Sequence, residues 1–417
     1  MMSTGRALPT LRSDTFLLYA ARGVRGFGDG FALIILPAYL TAIGYDPVAI
    51  GIVATASLLG SAVLTLAVGY LGTRHDLRTL MLAGAVLMVL TGLAFPNFEH
   101  IGFIIIVAFV GTVNPSSGDI GMLVPLEHAM LARGVPDHER TRAFARYSLI
   151  GALATAAGAL AAAAPDFLVA AGIGRTGAFR IMFYVYAVLG LVGAALYQRL
   201  PHARAEEKHP AALGPSRGIV YKLAALFSLD AFAGGFIVQS LLALWLFERF
   251  DLSLSAASLF FFWSSVLSAF SYPVAARLAK HMGLINTMVF THIPSSICLI
   301  LAAFSTDVVV TLGLLLVRSA LSQMDVPTRT SYVMAVVTPA ERTAAASVTA
   351  VPRSLASSIS PALAGALLAT PFSGLPLVVC GGLKIVYDLA LLWAFRHIRP
   401  PEETAERRSA GKDQAPA

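Results

Sequence analysis

The sequence predicts an all-α membrane protein with twelve transmembrane helices in two pseudo-symmetric six-helix bundles. Three observations predict this fold class: an apolar composition, apolar stretches long enough to cross a bilayer, and an internal repeat. Of the 417 residues, 57% are hydrophobic and only 13% are charged, whereas soluble proteins carry about 25% charged residues. The mean hydropathy is +0.75. A soluble fold cannot bury this much apolar surface, so lipid must surround much of the chain.

The repeat joins two halves of the chain at a constant spacing of 202 residues, with no gap. Its first copy consists of Gly111, Met122, Pro125, Glu139, Arg140, Thr141 and Ala143. Its second copy consists of Gly313, Met324, Pro327, Glu341, Arg342, Thr343 and Ala345. Internal repeats within a chain of apolar spans are typical of secondary transporters, whose binding site lies where the repeats meet.

Twelve stretches satisfy the length of about 20 residues that a helix needs to cross the hydrocarbon core. They are roughly residues 15–43, 48–72, 79–97, 101–132, 143–164, 179–199, 220–247, 253–278, 284–305, 308–337, 343–369 and 376–396. Pro371, Gly374 and Pro376 separate the last two spans.

The distribution of basic residues sets the predicted orientation. With both termini in the cytoplasm, twenty Lys and Arg residues outside the spans or at their ends lie on the inner side and three lie on the outer side, as the positive-inside rule requires. The predicted division is a cytoplasmic tail (1–14), a first six-helix bundle (15–199), a cytoplasmic linker (200–218), a second bundle (219–397) and a disordered cytoplasmic tail (398–417). We expect a multi-pass protein of the cell inner (cytoplasmic) membrane.

The loop after the second span carries a partial family motif. The family pattern is G-x-L-x-D-R-x-G-R-[KR], and its first glycine, leucine and two arginines match Gly69, Leu71, Arg74 and Arg78. The acidic position holds a threonine, and Asp76 replaces the second glycine. With twelve spans and a central loop, the chain resembles the major facilitator superfamily over essentially its whole length.

The stretch Gln-Met-Asp-Val-Pro-Thr-Arg at 323–329 resembles the drug–proton antiporter branch of that family. The G-P-x-x-x-G pattern of that branch is missing from the fifth span, where Gly151 and Gly158 stand in an alanine-rich run. A related Pro361-x-x-x-Gly365 pattern lies in span eleven instead. This departure leaves the direction of transport open.

The resemblance implies a secondary active transporter working by alternating access, with proton-coupled export of a small organic or anionic compound. Proton-driven uptake of a small organic anion is the alternative. The partners expected are the lipid bilayer, a small-molecule substrate and protons, with no nucleic acid and a monomeric state. We expect no cofactor and a proton gradient as the energy source.

Enzyme chemistry is not expected, because the sequence holds no HExxH, Walker or DDxxD motif. A membrane-embedded enzyme and a transporter-like sensor are the other classes weighed. The two cysteines, Cys298 and Cys380, lie in separate spans without the spacing of metal ligands.

Charged groups inside lipid are costly, so they are candidates for function or for mutual pairing. The predicted substrate-binding or cavity residues are Arg25, Asn114, Arg318, Ser322 and Arg353. Two arginines near half depth suit an anionic substrate, because guanidinium groups bind carboxylates and phosphates with two hydrogen bonds. The alternatives are pairing of Arg353 with Asp230 or Asp325, and pairing of Arg25 with Asp29 four residues on.

Three acidic residues in the spans are candidates for proton coupling: Asp29, Asp119 and Asp325. Arg318, Ser322, Asp325 and Arg329 fall at i, i+4, i+7 and i+11, which is one stripe of a continuous helix. Lys384 and Asp388, four residues apart in span twelve, are expected to pair with each other.

The predicted gating residues lie near the cytoplasmic ends of the spans. They are Arg74, Asp76, Arg78, Glu127 and Arg329. Glu127 and Arg329 are 202 residues apart and carry opposite charges, so they occupy equivalent places in the two halves.

Overall fold

The computed structural model describes residues 8–72, 74–116, 121–204, 213–338 and 341–395, which are almost entirely helical. The helices of this part are α1 (Leu8–Ala42), α2 (Pro47–Leu71), α3 (Leu77–Asn97), α4 (Ile101–Val110), α5 (Leu123–Gly134), α6 (Asp137–Ala161), α7 (Ala164–Ala170), α8 (Arg175–Tyr197), α9 (Arg217–Gly235), α10 (Gln239–Phe250), α11 (Leu254–Met282), α12 (Leu284–Phe304), α13 (Val308–Ser322), α14 (Asp325–Val336), α15 (Arg342–Leu368) and α16 (Leu375–Phe395).

These helices make the twelve predicted spans, because four spans are each divided into two helices. The divided spans are α4–α5, α6–α7, α9–α10 and α13–α14. Within the described residues, nine spans are long and apolar enough to cross a membrane by length and composition. The other three are α1, α4–α5 and α15. The all-α membrane fold is therefore confirmed.

Several helices begin where the sequence supplies an aspartate cap. Asp46 accepts a hydrogen bond from the Ala49 N–H at the start of α2. Asp307 does the same for the Val310 N–H at the start of α13. Such caps satisfy backbone N–H groups that have no partner within the first turn. The spans therefore start at the polar residues that bound each apolar stretch.

The 202-residue repeat is a repeat of structure as well as of sequence. α5 and α14 begin at Leu123 and Asp325 and end at Gly134 and Val336, so both bounds differ by 202. After them, Arg140 donates to the Ala132 carbonyl, and Arg342 donates to the Met334 carbonyl. Both donors and both acceptors are again 202 residues apart. Each half thus places the same short helix and loop at the same point of its fourth span.

By internal contacts, the chain forms two compact units whose bounds differ from the two sequence halves. Unit 1 contains the described residues within 1–207, 237–266 and 358–373. Unit 2 contains those within 208–236, 267–357 and 374–417. All of α10 and parts of α11 and α15 therefore pack with the first half, so the contact units cut across the predicted bundles (15–199 and 219–397).

Unit 1 has a core of residues from α1, α3, α5, α6 and α8, including Met81, Leu126 and Tyr147. Unit 2 has a separate core built from α9, α12, α14 and α16, including Phe227, Met288 and Tyr387. Large apolar side chains such as Phe167 and Trp393 are exposed instead. Their exposure matches a protein whose outer surface meets acyl chains.

Close helix packing in unit 1 depends on glycines in the first and fifth spans. A methyl group at Gly30 of α1 would overlap the Thr155 carbonyl oxygen of α6, and one at Gly158 would overlap the Phe27 carbonyl oxygen. The first and fifth spans therefore pack closely through their glycines. Small residues let two helix backbones approach closely, as in many membrane proteins.

Candidate functional site

A buried ionic cluster in unit 1 holds Arg25 of α1. Its Nη2 lies 2.7 Å from Glu127 Oε2 of α5 and donates to the Tyr147 hydroxyl at 3.0 Å. The hydroxyls of Tyr147 and Tyr197 also donate to Glu127, whose side chain is fully buried. The alternative pairing of Arg25 with Asp29 is wrong, because Glu127 takes the guanidinium.

Asp29 lies one helical turn beyond Arg25 and has a different environment. The Tyr186 hydroxyl donates to its Oδ1 at 3.3 Å, and Thr112 Oγ1 lies 3.0 Å from the same hydroxyl. Among the described residues, no cation lies within ion-pair distance of Asp29. The carboxyl therefore ends a chain of hydroxyl groups that leads to the break in the fourth span.

The described residues between α4 and α5 are 111–116 and 121–122. Asn114 accepts the Ser116 N–H through Oδ1 at 2.9 Å, and its buried Nδ2 has no hydrogen-bond partner in the described part of the chain. The Pro115 carbonyl accepts the Ser240 N–H at the start of α10. Asp119, predicted for proton coupling, lies outside the described residues.

In unit 2, Arg318 and Arg353 are half-buried in α13 and α15. Neither guanidinium makes an ion pair with any residue the structure describes, and Arg353 Nε is buried without a hydrogen-bond partner. The alternative pairing of Arg353 with Asp230 or Asp325 is therefore wrong. Both carboxylates bond to Arg329 instead.

Six side chains of unit 2 form a second ionic cluster, called here the unit 2 network. Its members, from α9, α12, α14 and α16, are Asp230, His292, Asp325, Arg329, Lys384 and Asp388. All are at least 88% buried at the side chain, the most exposed being Lys384 at 12%.

Arg329 lies at one end of this network. Its Nη1 is 2.9 Å from Asp325 Oδ2 and 3.2 Å from Asp230 Oδ2. Lys384 Nζ is 2.6 Å from the other oxygen of Asp230. The predicted stripe of Arg318, Ser322, Asp325 and Arg329 is interrupted, because α13 ends at Ser322 and α14 begins at Asp325.

His292 lies at the other end. Its Nδ1 is 3.1 Å from both oxygens of Asp388, and its Nε2 is 3.3 Å from Lys384 Nζ. The expected pairing of Lys384 with Asp388 is wrong, since each has a partner on another helix. The four-residue spacing permits the intrahelical pair, but Lys384 bonds to the buried Asp230 and Asp388 bonds to the buried His292.

The predicted gating residues of the loop before α3 hold the start of the linker. Asp76 caps α3 through the Thr79 N–H and accepts the Ala203 N–H at 2.7 Å. His202 contacts both Asp76, at 2.9 Å, and Arg78, at 3.4 Å. Burial favours a raised pKa for Asp76, but the hydrogen bonds from Ala203, His202 and Thr79 outweigh it and lower the pKa. Arg74 is exposed and lies over the Tyr70 ring.

Glu341 holds the other end of the linker in the same way. It accepts the Gly214 N–H at 2.5 Å, the Ser216 hydroxyl at 2.8 Å and the Thr338 hydroxyl at 2.6 Å. Hydrogen bonds from Thr338 and Ser216 lower the pKa of Glu341 to about 2. Each linker end is therefore bound by a loop carboxylate of its own unit.

The other two predicted gating residues, Glu127 and Arg329, lie in separate buried clusters, one in each unit. The sequence reasoning missed His292, the tyrosines around Glu127 and the partner role of Asp230. A histidine in an uncharged stretch was a usable signal, because an ionisable group inside lipid is functional by default. The tyrosines carried no such signal, since tyrosine is also common in apolar cores.

The chain is similar to a yeast membrane protein and to solved structures of transporters. The chain is 22% identical over 421 residues to the uncharacterized membrane protein YJR124C of Saccharomyces cerevisiae, covering 92% of this chain and 94% of the yeast protein. The nucleoside transporter NupG superposes with a TM-score of 0.71 at 12% identity, covering 92% of this chain and 99% of NupG. The xylose transporter XylE from E. coli gives 0.68 at 15% identity, covering 92% and 99%.

These two structural similarities establish the fold alone. The sequence profile of the Major Facilitator Superfamily matches residues 18–229 and again 223–416, which together span nearly the whole chain. The repeated match agrees with the duplicated α5 and α14. The chain belongs to the Major Facilitator Superfamily and is a secondary transporter of the lipid bilayer, not an enzyme.

Proposed function

We propose that this transporter carries out proton-coupled export of a small organic anion by alternating access. The observation that carries the proposal is the pair of arginines in unit 2, Arg318 and Arg353, that have no ionic partner among the described residues. The carboxylates considered as partners of Arg353, Asp230 and Asp325, are bonded to Arg329 and Lys384 instead.

An unpaired cation in a low-dielectric interior costs several kcal/mol. A carboxylate or phosphate of the substrate would offset that cost, and the planar guanidinium offers two parallel hydrogen bonds to either group. Ser322, one turn beyond Arg318 at the end of α13, adds a neutral hydroxyl on the same helix. A positively charged substrate would meet repulsion at both arginines.

Asp29 is the best-supported of the three candidates for proton coupling. It has one hydroxyl donor and no ion pair among the described residues, so its charge is not fixed by a neighbour in contact. Asp325, in contrast, lies 2.9 Å from Arg329. A carboxyl that gains and loses a proton must be able to exist in both forms within one transport cycle.

The resemblance at 323–329 supports export. The distribution of basic residues supports cytoplasmic termini and a location in the inner membrane of the cell. Uptake of the same anion with protons is a second candidate, favoured by the absence of the G-P-x-x-x-G pattern from the fifth span. The residues proposed to bind the anion are the same in both cases.

The test starts with a thermal-stabilisation screen of the purified protein against carboxylates, phosphate esters, neutral sugars and amines. We expect stabilising compounds to be anions. Arg318→Gln and Arg353→Gln should weaken the binding of a hit about 10- to 100-fold, because each loses charge-assisted hydrogen bonds of about 1.5–3 kcal/mol. The matched control is Arg249→Gln, which removes an exposed arginine and should leave binding unchanged.

Flux of the hit is then measured in proteoliposomes with an imposed pH gradient of either sign. Movement against the proton flow supports export, and movement with it supports uptake. Equal stabilisation of all variants, or hits that are exclusively neutral or cationic, would overturn the anion proposal.

A further inference from the structure

The unit 2 network has an unbalanced charge. Its three carboxylates, Asp230, Asp325 and Asp388, face only two permanent cations, Arg329 and Lys384. The sixth member, His292, decides the balance. With a neutral imidazole the network carries one net negative charge, and with one added proton it is neutral.

The contacts of His292 show which form the structure holds. Lys384 Nζ, 3.3 Å from Nε2, is an ammonium group that can only donate, so Nε2 must accept. The ring proton is therefore on Nδ1, from which it is donated to Asp388. The imidazole is neutral in this arrangement, and the network is one proton short of balance.

A net charge held inside a membrane protein is costly, whereas a neutral network with satisfied hydrogen bonds is not. The groups able to take the proton are His292 Nε2 and the Asp388 carboxyl. Asp230 and Asp325 are less suited, since each is within ion-pair distance of a permanent cation. We infer that the His292–Asp388 pair binds one exchangeable proton, which makes it a second proton site of this transporter.

The surroundings of the pair support this assignment. His292 faces Asp230 of α9 and Lys384, Tyr387 and Asp388 of α16. Asp325 and Arg329 of α14 lie next in the network, and the charge of Arg353 of α15 also acts on Asp230. The Tyr387 ring lies edge-on to the imidazole at 6.1 Å, and its buried hydroxyl has no partner among the described residues. That hydroxyl is a hydrogen-bonding group available to a water molecule beside the pair.

Protonation has a structural consequence at Lys384. A proton on Nε2 places an imidazolium 3.3 Å from the ammonium, so the two cations repel. Asp230 Oδ1, now bonded to Lys384 at 2.6 Å, lies 3.9 Å from Nε2 and is the acceptor for the new N–H. Lys384 is thus the side chain whose contact changes when the pair gains its proton.

The role of this site in coupling depends on the proposed function, but the proton itself is measurable without substrate. Purified protein in weakly buffered detergent is taken from about pH 8 to about pH 5, and the protons bound per molecule are counted with an indicator dye. We expect both His292→Gln and Asp388→Asn to bind about one proton fewer than the wild type. An isolated aspartate is already ionised over this range, so a loss in Asp388→Asn identifies the pair as one site. The matched control is Asp166→Asn, a half-buried aspartate outside the network that is bonded to Ser255, and this variant should bind the wild-type number of protons.

An unchanged count in both variants would overturn the inference. If a variant fails to fold, infrared difference spectra of the wild type between the two pH values provide the same test. A change in imidazole or carboxylic acid bands supports the pair if isotope labelling does not assign that change to other residues. The absence of a change at both groups contradicts the pair. If both variants bind one proton fewer than the wild type but the wild type shows no anion flux, the proposed function is contradicted and the proton site remains. If the wild type shows proton-coupled flux but both variants bind the wild-type number of protons, only the proton site is contradicted.

Discussion

The buried charged residues fall into two groups, those with an ionic partner and those without. Arg25 with Glu127, and Arg329 with Asp230, have close partners on other helices. Arg318 and Arg353 have none among the described residues. We expect the paired residues to stabilise the fold and the unpaired ones to act on substrate.

Replacing Glu127 by glutamine tests the structural role of the first group. The change leaves the Arg25 guanidinium buried without a carboxylate, and breaking a buried pair in this way costs about 3–5 kcal/mol. We expect a clear fall in the thermal unfolding temperature of Glu127→Gln in detergent or nanodiscs.

The control is Glu99→Gln, which breaks a pair of the same residue types with Arg180 at the surface, where the side chains are 60% and 40% exposed. An exposed pair contributes about 0–1 kcal/mol, so its loss should shift the unfolding temperature little. Equal effects of the two substitutions would contradict the assigned role of Glu127.

Glu341 gives a pH-dependent prediction. Its pKa falls from an ordinary value of 4.5 to about 2 on folding, so its stabilising effect is complete above about pH 4.5 and is lost as the pH falls towards 2. Glu341→Gln should therefore lower the unfolding temperature at pH 7, and the difference from the wild type should shrink as the pH falls below 4.5.

The repeat supplies the control for this measurement. Glu139 lies 202 residues earlier, in the first turn of α6, and donates its N–H to Pro136 as Glu341 does to Thr338, but it is exposed. Glu139→Gln should change stability less at pH 7. A difference that grows rather than shrinks on acidification would show that the linker contacts of Glu341 do not stabilise the fold.

The helical elements show where sequence reasoning succeeds and where it stops. The repeat predicted equivalent places in the two halves, and α5 and α14 have equivalent bounds because the same residues flank both helices. A continuous helix through the tenth span was wrong, because Gln323 and Met324 form a turn between α13 and α14. Pro327 lacks the N–H that would bond the Gln323 carbonyl in a continuous helix, so this proline was a usable signal that helical spacing alone did not include.

The close packing of α1 against α6 can be tested at Gly30. Gly30→Ala places a methyl group against the Thr155 carbonyl oxygen, so the helices must separate. Overpacking of this kind costs about 1–3 kcal/mol. We expect a lower unfolding temperature, measured with a thiol-independent assay such as light scattering or tryptophan fluorescence.

Gly193→Ala in α8 is the matched control, since nothing lies within 4 Å of the added methyl group. In a helix interior, alanine is favoured over glycine by about 1 kcal/mol, so this variant should be unchanged or more stable. Destabilisation by both substitutions would indicate a general intolerance of helix glycines rather than a contact at Gly30.

At the scale of the whole molecule, composition and the repeat predicted the membrane fold, because both reflect the number and spacing of apolar spans. The family was indicated by resemblance, through the twelve spans, the central loop and the partial motif at 69–78. The candidate sites were predicted only in part. The sequence located Arg318, Arg353 and Asp29, since a charge in an apolar span is visible without a structure. It could not assign partners, as the errors at Lys384 and Arg353 show, because pairing depends on which helices are neighbours. His292 was overlooked since only permanent charges were counted.

The two linker anchors, which are the contact of Asp76 with Ala203 and the contact of Glu341 with Ser216, form at different times during protein synthesis. Asp76 leaves the ribosome well before Ala203, so the first anchor can form as soon as the linker emerges. Ser216 must wait for Glu341, which is translated 125 residues later. Until then the N-terminal end of α9 lacks its acceptor, and a nascent chain halted before the tenth span would expose that end to water, proteases and chaperones.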